Sequence, residues 1–403
     1  MNLVSEPPHD WLSRVRAQID SSLLEPVVRD ILDRPDATVT AFEVRPIDYT
    51  NVDPECRLLV RVTGNAIVRD RTLSWSLVLK AFRCPAAAES GADEPTAYEY
   101  WEREPRFFES PIPTSLGPGL RSVRCHGVDR RSASEIWIWL EDLAAEREGP
   151  WDSAMFQGVA EDLGRFAGSF TAGKPVPRAP WLADTWAVQT YYSITSPWWR
   201  ELILRTLETP PTRSLAAANA FGSDRDRAIL RGTFLRQDEL LHALDRLPRA
   251  LCHNDTFASN LFPGRSGSGD SDTAAIDWAL VGAGPAGGDL GQLVAGSACF
   301  FRAPTDELDA LDGLTFDAYL AGMEEAGATV SSADVRFASL VTMLAQWSAI
   351  VAFHLIYALD SSREEWVVGF WRRPPSEVVE QFTPLLAFLT RRAEETLRLA
   401  NDR

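Results

Sequence analysis

Residues Leu251 to Leu290, reading LCHNDTFASNLF, then a short polar loop, AAIDW and VGAGPAGGDL, decide how the whole chain is read. His253, Asp255 and Asn260 form an H-x-D-x-x-x-x-N pattern. At that spacing an Asp can take a hydroxyl proton while an Asn holds a metal ion, the division of labour in a phosphoryl-transfer loop. A second acid follows at Asp277.

In phosphoryl transfer the protein does little covalent work. It positions an attacking hydroxyl and neutralises phosphate charge, largely through Mg²⁺, which takes oxygen ligands. Asn260 and Asp277 would supply two such ligands, leaving Asp255 to face the acceptor hydroxyl. The plainer alternative is a turn in which Asp and Asn bond their own backbone.

Local pattern supports the convergence. Asn260-Leu-Phe and Ala274-Ala-Ile-Asp-Trp read as two short strands, and the Gly- and Ser-rich run Pro263 to Asp272 between them reads as a hairpin loop. A hairpin returns Asp277 to the side of Asn260.

With Gly288-Asp289-Leu290 added, this ordered set resembles the aminoglycoside phosphotransferase family, relatives of choline kinases and protein kinases. The resemblance covers most of the chain, but only Leu251 to Leu290 is specific. It implies a two-lobed, protein kinase-like α+β fold, with a small antiparallel β-rich lobe and a larger, mainly helical one. It makes Asp255 the catalytic base, Asn260 and Asp277 the metal ligands, and Asp289 a structural acid that steadies the loop from the next helix. In such loops the His supports the backbone, so His253 is given no proton transfer.

Composition bounds the rest. The chain has 403 residues, 45% apolar and 24% charged, enough for one large two-lobed unit or two domains. A net charge of -17 argues against nucleic-acid or anionic-membrane binding and permits an acidic cleft for a cationic acceptor, although solubility alone accounts for it. Cys56, Cys84, Cys125, Cys252 and Cys299 are scattered and odd in number, without C-x-x-C, as expected of reduced thiols in a cytoplasmic protein. The segment Phe337 to Leu359 lacks Asp, Glu, Lys and Arg and is long enough to span a bilayer. Gln346, Ser348 and His354 within it favour the buried centre of a large protein.

Ahead of the loop, Trp11 to Leu32 has helical spacing, with Pro26 expected to interrupt its later part. TVTAFEVRPI, RLLVRVTGNAIV and LSWSLVLKAF read as three antiparallel strands. Lys80, placed at the end of the third, resembles the strand lysine that grips ATP phosphates, and the family pattern offers Glu104 as its partner. Pro105 puts Glu104 at the start of a helix. The strand Glu135 to Glu141 leads into an expected interlobe hinge, Trp139 to Leu143, where Glu141 and Leu143 would offer backbone groups to adenine. The loop Asp48 to Cys56 contains no glycine with which to close over phosphates.

After Gly149-Pro150 the chain turns helical. Met155, Phe156, Val159, Leu163, Phe166 and Phe170 fall on one face, and Ile229 to Leu247 resumes that spacing. Trp181, Trp186, Tyr191, Tyr192, Trp198 and Trp199 read as core packing or as the wall of an acceptor pocket.

The expectation is therefore a nucleotide-binding lobe over residues 1–142 and a helical lobe over 143–403 with the catalytic loop and acceptor site. The reaction is ATP- and Mg²⁺-dependent phosphorylation of a small-molecule hydroxyl, on an antibiotic such as an aminoglycoside or on choline, a sugar or another metabolite. Neither nucleic acid nor membrane is an expected partner. The rival is a pseudokinase-like binding protein, motivated by the glycine-free loop and Pro105.

Overall fold

A computed structural model describes residues 9–47, 57–84, 94–98, 100–143, 151–184, 197–210, 219–264 and 272–403. The chain divides into two units, Met1–Thr114 with Ser122–Glu148, and Ser115–Arg121 with Gly149–Arg403. The loop Asp48 to Cys56, Gly149-Pro150, Trp186, Tyr191 and Tyr192 lie outside the described residues.

The first unit opens with two helices, His9–Gln18 and Ser21–Leu32. The break falls at Asp20, whose carboxylate caps the second helix by accepting from the Leu23 N–H at 2.9 Å. Pro26 does not interrupt that helix, which continues through it to Leu32.

Beyond them, β1 (Thr38–Pro46), β2 (Arg57–Val68) and β3 (Arg71–Arg83) form the expected antiparallel strands. The chain then passes through the helix Arg103–Glu109 and the short strand β4 (Leu120–Ser122) to β5 (Cys125–Ser132) and β6 (Glu135–Glu141). The sheet is five-stranded in the order β1-β2-β3-β6-β5, so β3 lies at its centre. Leu58, Val60 and Val62 on β2 and Trp75, Leu77 and Leu79 on β3 alternate into one core with Trp11, Val15, Leu24 and Val28 of the two helices. From Leu79 to Phe82, however, β3 is buried on both faces. Lys80 therefore sits within the strand rather than at its end.

In the second unit, the helix Ser153–Thr171 buries Phe156, Val159, Leu163, Phe166 and Phe170, while Met155 is exposed. It packs closely on the helix Leu308–Glu325. A Cβ on Gly164 would lie 2.1 Å from the Tyr319 carbonyl oxygen, and one on Gly322 would lie 2.0 Å from that of Glu161. Only glycine allows the two backbones to approach this closely. The stretch read as one helix from Ile229 is two, Asp224–Leu235 and Gln237–Leu244.

Helical segments Ser332–Met343, Leu344–Ser348 and Ala349–Ala358 run end to end as one rod, with a π-helical turn in the middle. This rod is long and apolar enough to cross a membrane, and 89% of its most apolar stretch is buried inside the protein. Helix Pro375–Asn401 closes the chain, and Arg336 ties the rod to its neighbours through Asp312 at 2.7 Å and Glu395 at 2.8 Å.

Two three-stranded sheets carry the candidate site. One orders β7 (Ala183–Asp184), β11 (Gly282–Pro285) and β8 (Arg249–Cys252); the other orders β4, β10 (Thr273–Ala275) and β9 (Leu261–Phe262).

Gly322→Ala is expected to destabilise the protein by about 1–3 kcal/mol through the clash with Glu161. Gly313 on the same helix has open space around its Cβ position, so Gly313→Ala is expected to be neutral or to stabilise by about 0.5–1 kcal/mol. Denaturant unfolding of the two variants side by side measures both.

Candidate active site

Strand β8 ends at Cys252 and delivers His253 to Asn260 as a loop packed almost wholly inside the second unit. Buried backbone groups need partners. Asp289 supplies them, accepting the His253 N–H at 3.0 Å and the Asn254 N–H at 2.8 Å, one on each carboxylate oxygen. The Thr256 hydroxyl donates to the Asp289 carbonyl at 2.5 Å. Burial pushes the Asp289 carboxyl up to about 6, against the pull of its two N–H donors. The expected steadying role of Asp289 is thus visible as geometry.

His253 is fully buried, its ring tilted against Trp278 at 4.5 Å between centroids. Its Nε2 lies 2.8 Å from the Ile276 carbonyl oxygen, an acceptor only, so Nε2 carries the proton and donates. A ring engaged this way supports the backbone.

The two strands pair, although the second ends at Ala275 rather than running on to Trp278. Ala275 pairs with Leu261 and Ala274 with Phe262, and the Ile276 N–H donates to the Asn260 carbonyl at 2.9 Å. Asp277 follows directly, in the left-handed region at φ 61°, ψ 64°. Asn260 and Asp277 are therefore brought to neighbouring positions.

Asp255 is the partly exposed acid of the loop. Asn260 Nδ2 donates to its carboxylate at 2.8 Å and to its carbonyl at 3.0 Å. Because both partners are acceptors, the amide orientation is settled: nitrogen toward Asp255, oxygen turned away. That contact between the two residues was not foreseen from spacing. An outward amide oxygen beside a carboxylate is a hard-oxygen donor set of the kind Mg²⁺ or Ca²⁺ takes.

Asp162, on the helix Ser153–Thr171, was also missed. Its Oδ2 accepts the Thr273 N–H at 3.0 Å and the Thr273 hydroxyl at 2.5 Å, and it also pairs with Arg165. This buried acid, its pKa raised by desolvation, anchors the return strand of the hairpin. Nothing in its helical context marks it in sequence.

In the first unit, Lys80 pairs with Ile138 of β6 and Leu59 of β2 in the sheet register. Its ammonium meets Glu104 Oε2 at 2.5 Å, with side chains 5% and 1% exposed. Glu104 stands in the first turn of the helix Arg103–Glu109, immediately before Pro105, as expected. Arg103 is also buried and donates to the carbonyls of Ala97 and Tyr98. Burial, reinforced by the Arg57 charge, lowers its pKa to about 10, leaving it charged at neutral pH.

At the end of β6 the Glu141 N–H donates to the Arg124 carbonyl at 2.9 Å, and the Glu141 carboxylate accepts the Arg124 N–H at 3.0 Å. Leu143 is buried. Between them Asp142 holds Arg61 at 2.8 Å and the Ser76 hydroxyl. Of the aromatic segment, Trp199 stacks on Phe353 at 3.9 Å as core, while Trp198 is exposed.

An antiparallel sheet bearing a buried Lys–Glu pair in one unit and a helical unit bearing the H-x-D-x-x-x-x-N loop make this an α+β chain. Solved structures similar to it include an amicoumacin kinase in complex with AMP-PNP, Ca²⁺ and Ami, 13% identical over 91% of this chain and 96% of that one, with a TM-score of 0.43. A putative aminoglycoside phosphotransferase from Ralstonia eutropha is 12% identical over 93% and 98%, TM-score 0.44. A Plasmodium vivax ethanolamine kinase is 11% identical over 96% and 96%, TM-score 0.43. No family model and no curated protein matches the chain.

Asp289→Asn keeps the shape but turns an N–H₂ toward a backbone N–H. It is expected to cost roughly 1–3 kcal/mol and to speed hydrogen exchange at the His253 and Asn254 amides. The raised pKa also sets a pH dependence. The folded state holds the Asp289 proton up to about pH 6, above the ordinary value of 3.8. This group's contribution to stability is therefore complete below its ordinary pKa and lost as pH rises through about 6. In the wild type, the same two amides should therefore lose protection, after correction for intrinsic rate, as pH rises through about 6.

Proposed function

We propose that this protein is a phosphotransferase that uses ATP and a divalent ion, Mg²⁺, to phosphorylate a hydroxyl of a small molecule. In this reading, residues 1–142 bind the nucleotide and residues 143–403 carry the reaction and the acceptor. The observation that carries it is the Asp255–Asn260–Asp277 arrangement: a partly exposed carboxylate oriented by an amide, with Asp277 following the return strand of the hairpin that begins beside Asn260.

Asp255 accepts the proton of the acceptor hydroxyl as the phosphoryl group arrives, with Asn260 Nδ2 keeping its carboxylate in one orientation. The Asn260 amide oxygen and the Asp277 carboxylate would hold the ion. When bound, that ion neutralises charge on the phosphates. Lys80, paired with Glu104, is assigned to the nucleotide phosphates. At the end of β6 the Glu141 N–H already serves Arg124. The Glu141 carbonyl and the Leu143 N–H are the backbone groups assigned to the purine.

The acceptor is an antibiotic of aminoglycoside kind or a metabolite such as choline, an amino alcohol or a sugar. Purified protein with Mg·ATP and a panel of these compounds, macrolides included, identifies it. Labelling of none, with no ATP bound even at millimolar concentration, would leave a non-catalytic binding protein as the better reading.

Asp255→Ala is expected to lower turnover by about 10³-fold or more with nucleotide affinity largely kept. Asp277→Ala should instead abolish metal-dependent nucleotide binding. Calorimetry with ATP and Mg²⁺ separates the two, and equal loss of nucleotide in both variants refutes these roles.

A further inference from the structure

We infer that Asn254 is a positioning residue that holds Asp277 in place from the opposite side of the loop, and that asparagine alone meets both demands of that position. The inference rests on the proposed role of Asp277. Asn254 is buried, with φ at 65°, in the left-handed region that most side chains avoid and that Gly, Asn and Asp tolerate. Its backbone N–H is taken by Asp289. Its side-chain Nδ2 donates to the Leu280 carbonyl at 2.9 Å.

The neighbouring bond gives that contact its meaning. His253 Nε2 holds the Ile276 carbonyl at 2.8 Å. Two consecutive loop side chains thus grip the carbonyls on either side of Asp277, which is itself a non-glycine residue at φ 61°. A backbone in that region costs free energy and persists where its surroundings impose it. The grip supplies the imposition, and Asp255 is the next residue along. Asp255 and Asp277 therefore share one rigid frame, and the short run Trp278–Leu280 between the grips is wound as a tight helical turn.

Two replacements separate the backbone demand from the side-chain demand. Glycine satisfies the left-handed conformation but loses the donor. Aspartate also satisfies the conformation but sets a carboxylate oxygen against the Leu280 carbonyl.

The test uses the full chain and two readouts. In metal-free protein, hydrogen exchange over residues 276–281 should accelerate in Asn254→Gly and more so in Asn254→Asp, in each case by more than the variant's loss of global stability accounts for. With Mg²⁺ titrated at fixed ATP, the concentration for half-maximal nucleotide binding should rise about two- to tenfold in Asn254→Gly, the range one lost hydrogen bond supports. In Asn254→Asp the rise should exceed about tenfold, and in both the KM for the acceptor should stay within about twofold of wild type. Wild-type exchange and wild-type Mg²⁺ dependence in the Asp variant would overturn the inference. If the wild type itself shows no metal-dependent nucleotide binding, the proposed function fails, and the exchange measurement still decides whether Asn254 holds the Asp277 turn.

Discussion

One carboxylate accepting two consecutive backbone N–H groups, Asp289 on His253 and Asn254, is the constraint on which the candidate site depends. The loop turns inside the protein, where an unpaired N–H costs more than a net hydrogen bond returns. Asp289 stands at the start of the helix Leu290–Cys299 yet makes no side-chain cap to it. Its oxygens are spent on the loop instead. With those donors satisfied, His253 and Asn254 can turn their side chains toward the Asp277 segment, and Asp255 is left as the partly exposed acid.

The same reasoning applies in the first unit by other means. A buried ion is costly unless paired, so Lys80 within the central strand and Glu104 in the first helical turn depend on each other. Proline after Glu104 suits that first turn, where its missing N–H has no helical partner in any case. Arg103 fastens the segment ahead of this helix by binding its carbonyls.

Much of this was legible in the sequence. The three strands, the hairpin, and the loop motif rest on local pattern: alternation, glycine-rich turn and residue spacing. Asp289 could be placed as a steadying acid because family resemblance covers it. Less legible were features with no local sign. Trp11 to Leu32 shows one helical pattern, yet Asp20 caps a fresh helix and Pro26 is absorbed, because Leu24, Val27 and Val28 on either side of it are buried in the core and hold the helix by packing. Lys80 reads as a strand end, but sheet and helix bury it, since β3 is covered on both faces.

By itself, the sequence determined which residues make up the candidate site and the order of its parts, because spacing within a loop and hairpin is a local property. Only the tertiary structure decided that Asn260 turns its nitrogen to Asp255, that Asp162 anchors the return strand from a distant helix, and that His253 and Asn254 grip either side of Asp277. Those contacts join residues far apart in the chain through buried polar groups. Which group satisfies which is settled by packing in three dimensions.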